Sequence, residues 1–178
     1  MNRGAVSVWR ISLFILAVAA IFWLGAVNIR AMIGNDMLKT GTLEFEESLD
    51  PDAEREIFRL ISFASVVIVI SYAIVLISGT VFLLTSPFRL KENGWLMMSA
   101  ILFYTFVPVE AFTMYLDGKM AYKEFFTTNG NDVFRELFLA RVGALAGVPV
   151  IALLCYYTII ALAVFRPFTK SSPPAHEA

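Results

Sequence analysis

Residues 11–29 run for nineteen positions without a formal charge, and comparable apolar runs recur at 60–85, 95–116 and 142–165, interrupted by a single acid, Glu110. A hydrocarbon core about 30 Å thick takes about 20 apolar residues of helix to cross. Inside it every backbone amide must be satisfied within the protein, which leaves helices or closed barrels. Runs of this length without period-two alternation favour helices. The expected fold is an all-α membrane protein, a four-transmembrane-helix bundle forming one domain over residues 1–178.

Composition agrees. Apolar residues make up 58% and charged residues 16%, against about 45–50% and about 25% in soluble domains. The formal net charge of −1 gives no field that would draw nucleic acid. The expected partners are the lipid bilayer and either other membrane protein subunits or further copies of the chain.

Arg3 and Arg10 precede the first run, and Ala17-Val18-Ala19 resembles the cleavage site of a secretory signal. The run continues through Ile21-Phe22-Trp23-Leu24, where a cleavage region turns polar, so an uncleaved helix is expected. The connection 30–59 carries eight acids and four basic residues. Within it Thr42-Leu43-Glu44-Phe45-Glu46 alternates like a short strand. Asp50-Pro51 reads as a helix start, with Asp50 at the N-cap, Pro51 in the first turn, and Asp52, Glu54 and Glu56 matching the positive end of the helix dipole. From 51 to 85 that helix would be about 50 Å long at about 1.5 Å per residue, so it must tilt or protrude.

Ala64, Ser71, Ser78 and Thr85 recur every seven residues on this helix, a seam that permits close helix packing and hydroxyl bonds across it. The alternative is that each hydroxyl bonds back to its own helix. A turn with Pro87, Arg89 and Lys91 leads to Trp95, placed like an interfacial anchor. Residues 117–132 read as a second polar connection, in which 120–126 (MAYKEFF) has the pattern of a short interfacial helix and Asn129-Gly130-Asn131 is a turn signal. Asn131 or Asp132 then caps a fourth helix. It contains the small-xxx-small pair Gly143 and Gly147, expected to pack against a neighbour, and Pro149, expected to bend it. Residues 166–178, with Pro167, Pro173 and Pro174, read as a disordered tail.

Basic residues set orientation. Arg3, Arg10, Arg89, Lys91, Arg166 and Lys170 face only Glu92 and Glu177 on one side, while the other two connections, counted up to the apolar run at 142, hold twelve acids and eight basic residues. Both termini are expected in the cytoplasm, with 30–59 and 117–132 outside. Arg55-Glu56-Ile57-Phe58 matches Arg135-Glu136-Leu137-Phe138, and Pro87-Phe88 matches Pro167-Phe168, both at an offset of 80 residues. The pattern fits a parallel repeat of two helical hairpins.

The chemistry is bounded by absences. One histidine, His176, cannot clamp a haem or metal in the membrane, and one cysteine, Cys155, cannot form a redox pair. No Gly-rich phosphate loop and no Asn-x-Ser/Thr acceptor occurs. The expectation is a non-enzyme without cofactor, resident in a bacterial inner membrane. Cys155, beside Tyr156-Tyr157, reads as core packing. The acids Glu44, Glu46, Glu47, Asp50, Asp52, Glu54 and Glu56 read as a solvated helix start, since a cation site needs oxygens converging on one ion.

Glu110 remains, about 9 Å from Leu116 along a helix of about 1.5 Å rise. An acid at bilayer depth costs about 2.5–3.5 kcal/mol at the centre and less toward the interface. Arg30 and Arg141 flank the same side and are its expected partners. Either they lock the bundle or, with Glu110, they form a proton or cation site helped by the carbonyl that Pro108 leaves free. A protonated Glu110 bonded to Thr113 is a further locking arrangement. Two functions follow: a structural or assembly subunit of a larger membrane complex, or a small homo-oligomeric transporter or channel that uses Glu110.

Overall fold

The computed structural model describes residues 7–39, 42, 44–45, 50–127 and 131–169. The chain forms helices α1 (Val8–Asn35), α2 (Pro51–Thr85), α3 (Gly94–Phe126), α4 (Asn131–Val142) and α5 (Val148–Phe165), with a 3-10 turn at Ala144–Gly147 between the last two. Four of them, α1, α2, α3 and α5, are long and apolar enough to cross a membrane. Large apolar side chains such as Phe14, Ile21, Phe22, Ile77, Leu84, Val150 and Val164 point outward and are mostly exposed. In water such a surface would be untenable; against acyl chains it costs nothing. The protein is an all-helical integral membrane protein.

α1 packs along α2 more extensively than any other pair of helices meets; α2 then meets α3, and α3 meets α4 and α5. Three buried clusters stack along the bundle. At the proximal end, where α1 begins and α5 stops, Trp9, Phe82, Phe88, Trp95 and Leu162 come together. The middle holds Trp23, Ile68, Tyr72, Val75, Ala152 and Tyr156. At the distal end α4 closes over Met37, Phe58, Ile61 and Met120 with Phe134 and Phe138.

Several expectations need correction. The polar connection expected at 117–132 is helical to Phe126, so MAYKEFF forms the last turns of α3 rather than an interfacial piece. The charge of Asp117 does not end the helix because two arginines meet it there. The fourth helix is not bent but broken. Gly147 caps α5 with φ +88°, Leu145 also has positive φ, and Pro149 sits in the first turn of α5. A proline needs no N–H in a first turn, whereas in mid-helix its ring would strike the carbonyl four residues back, that of Leu145. Asp50 stands at the N-cap of α2, but its side chain makes no capping bond. The alternating segment 42–46 amounts to one bridge, Leu38 with Phe45, with Leu43 and Glu46 outside the described residues. Residues 129–130, Arg3 and everything after Thr169 also lie outside them.

Residues 166–169 do not leave the bundle as a disordered tail. Gly94 N–H donates to the Phe168 carbonyl at 3.2 Å, Thr169 bridges Asn93, and the Arg166 guanidinium lies over the Trp95 ring. A side chain at Gly94 would place its Cβ 2.8 Å from Phe168 Cβ. Gly94→Leu should therefore lower stability by about 1–3 kcal/mol, the usual cost of overpacking. Gly25, with nothing within 4 Å, should accept alanine without loss. Thermal unfolding of both variants in detergent checks the pair.

Candidate functional site

Asp117 sits seven residues, two helical turns, after Glu110 on α3, which brings the two acids to one face about 10 Å apart along the axis. Its carboxylate is fully buried. Oδ1 accepts from Arg141 Nε at 3.1 Å, and Oδ2 lies 2.6 Å from Arg30 Nη1. The Arg30 contact is one of charge rather than an aligned hydrogen bond, and the same Nη1 donates to Ser65 Oγ at 3.3 Å. One carboxylate thereby ties α3 to α1 and α4, with α2 attached through Ser65. Burial lowers the Arg141 pKa from its ordinary value, against the pull of Asp117; a guanidinium starts so high that it stays charged.

The arginines expected for Glu110 thus belong to Asp117, an acid that the sequence reading placed outside the membrane. Glu110, nine-tenths buried, instead accepts from the Tyr156 hydroxyl at 3.1 Å. Thr113 does not reach its carboxyl; that hydroxyl donates to the Glu110 backbone carbonyl. Tyr156 packs edge-on against Trp23, centroids 4.6 Å apart, and Trp23 lies 4.9 Å from Tyr72. Trp23 Nε1 and the Tyr72 hydroxyl are buried without a hydrogen-bond partner among the described residues.

The three candidate residues Glu110, Arg30 and Arg141 do come together around one cavity of about 380 Å³, between α1 and the start of α5. Trp23, Val27, Gly147, Pro149 and Tyr156 complete much of its wall. A second cavity of about 300 Å³ continues toward the proximal end. It shares Trp23 and Tyr156 with the first and is otherwise almost wholly apolar, lined by Leu16, Val75, Phe103 and Ile159 among others. Along this side α1 and α5 meet through side chains, such as Trp23 on Tyr156 and Asn28 Nδ2 on the Tyr157 hydroxyl at 2.6 Å.

The packing residues read from the sequence fare differently. Ser71 and Ser78 are buried on α2, Ala64 is half-buried and Thr85 is exposed. The hydroxyls of Ser71, Ser78 and Thr85 bond back to Val67, Ile74 and Val81, so no hydroxyl of that series bridges two helices. Gly143 and Gly147 lie in the break between α4 and α5, where a small-xxx-small face has no continuous helix to belong to. The described acids of the 30–59 connection diverge: Glu44 faces Lys39, Glu56 faces Arg59, and Glu54 turns inward to take a two-bond contact from Arg135 at 2.6 and 2.9 Å, while Glu47, like Glu46, lies outside the described residues. That contact holds the Arg135 guanidinium proton more tightly than usual.

No family model, no curated protein and no solved structure matches the chain.

Removing one partner of a buried ion pair strands the other charge and costs about 3–5 kcal/mol. Asp117→Asn should fall in that range, because two guanidinium groups lose their carboxylate. Glu110→Gln leaves a hydrogen-bonding group beside Tyr156 and should cost about 1 kcal/mol or less. Comparing thermal unfolding of the two variants in detergent checks the assignment; equal losses would sink it.

Proposed function

We propose that this is a non-catalytic membrane protein that binds a small solute or ion within the bundle at Glu110, working as a small homo-oligomeric transporter or channel. One observation carries the reading. Glu110 is an intramembrane carboxyl with no arginine bound to it among the described residues, and it opens on a cavity of about 380 Å³. Acids at that depth are functional candidates by default, and the locking role available to a buried acid here belongs to Asp117.

The proposed setting is a bacterial inner membrane, with both termini cytoplasmic and the α4 end outside, following the distribution of basic residues. Phe58 and Phe138, equivalent at the offset of 80, both enter the distal cluster, and Phe88 and Phe168 both sit at the proximal end. This supports a parallel repeat whose second hairpin has acquired the break at 143–147. A second reading, a structural or assembly subunit of a larger complex, draws on the open side between α1 and α5, which a helix of another chain would fill.

Two experiments divide these readings. Purification from native membranes in mild detergent should yield a homo-oligomer; other proteins in fixed stoichiometry would favour the subunit. In proteoliposomes holding a pH-sensitive dye, alkali cations, tetraalkylammonium ions and medium-chain carboxylates are applied under a pH gradient. At least one should produce a saturable pH change, slowed tenfold or more by Glu110→Gln with an unchanged elution volume.

A further inference from the structure

Building on the reading of Glu110 as an intramembrane binding site, we propose that the occupant is an amphiphile with one monoanionic head and a single alkyl chain, and that it binds with Glu110 in its protonated form. The head lies in the distal cavity against Arg141 and Arg30, and the chain enters the apolar proximal cavity by turning aside the packed rings of Trp23 and Tyr156 that divide the two.

The choice of sign comes from what the cavity wall presents. Arg30, Arg141 and Glu110 line it, whereas Asp117, the acid best placed to hold a cation, is fully buried behind the arginines. Arg141 uses Nε on Asp117, and neither of its Nη groups meets an acceptor among the described residues. Trp23, in the same wall, adds a buried Nε1–H without a partner among the described residues. Unused guanidinium forks suit carboxylate, phosphate or sulfonate oxygens. The adjoining cavity of about 300 Å³ offers almost no polar surface, so what continues from the head must be apolar.

The proton follows from charge balance. The groups facing Glu110 are Tyr156 of α5, Tyr72 of α2, Arg30 of α1, Arg141 of α4 and Asp117 of its own helix. With both tyrosines neutral, two arginines and Asp117 sum to one positive charge. An ionised Glu110 cancels it and leaves nothing for an anion. A protonated Glu110 leaves that charge for the ligand head, so the loaded site is neutral. An uncompensated charge in a low-dielectric site is strongly disfavoured, so anion and proton occupy the site together. If the loaded form crosses the bilayer, the step is electroneutral.

The test uses the full chain in nanodiscs of zwitterionic lipid, with decyl sulfonate as probe because its charge does not titrate. Decyltrimethylammonium and decanol are the cationic and uncharged counterparts. Calorimetric titrations run from pH 5 to 9, each in two buffers of different ionisation heat so that bound protons are counted. The wild type should bind decyl sulfonate saturably, with affinity falling up to tenfold per pH unit at the upper end and up to one proton taken up. Glu110→Gln should bind at the wild type's low-pH affinity, flat with pH and without proton uptake; that retained binding also shows the variant is folded. Arg141→Gln should weaken binding at least tenfold. Wild-type binding that is flat across the range, or a preference for decyltrimethylammonium, overturns the proton-linked anion site while leaving Glu110 as a binding site. Binding of none of the three probes overturns this proposal, and the transporter reading is then judged on the proteoliposome assay alone.

Discussion

The distal half of the bundle depends on one carboxylate shared by two guanidinium groups. Asp117 lies at a depth where a lone charge would be expelled, and it stays because Arg30 and Arg141 converge on it from different helices. Each of the three charges would be unfavourable alone. Together they fix relative positions: α3 must run past Asp117, α1 must reach Arg30, and α4 must fold back far enough to deliver Arg141. Phe134 and Phe138 of α4 then cover Phe58 and Met37, and Arg135 fastens α4 to the first turns of α2 through Glu54.

The cavity lies beside the start of α5. The turn at 144–147, with Gly147 left-handed and Pro149 just after it, delays the start of α5 and leaves α5 with 18 residues. The space beside α1 is walled by Arg141, Val142, Gly147 and Pro149 on one side and by Val27, Arg30 and Ala31 on the other. Helix association in a bilayer has no hydrophobic drive to close such a gap. Glu110 faces it because the shared face of α3 points both of its acids the same way, one toward the arginines and one toward the opening.

Trp23 and Tyr156 divide the polar from the apolar half of this side. Their rings pack on each other and on Tyr72 and Phe103, so the wall between the cavities is an aromatic cluster rather than backbone. A passage between the cavities therefore requires these rings to turn about their side-chain torsions, with no helix having to move.

The sequence by itself determined the membrane class, the four apolar runs and the start of α2, because length, hydropathy and the Asp50-Pro51 signal act within a few neighbouring residues. It also singled out Glu110, Arg30 and Arg141, which do share one cavity. Tertiary structure alone decided that the arginines serve Asp117. Whether a charge ends a span depends on partners some 87 and 24 residues away in the chain, and local hydropathy cannot register them. Asp117 was legible only as the residue two turns after Glu110, a spacing that gains meaning once α3 is known to continue. The break at 143–147 had a local signal, Gly147 two residues before Pro149, which fits a helix start better than a bend. The fate of the hydroxyls on α2 was not legible at all, since a serine bonds equally well to its own helix or to a neighbour, and only the distance to that neighbour decides.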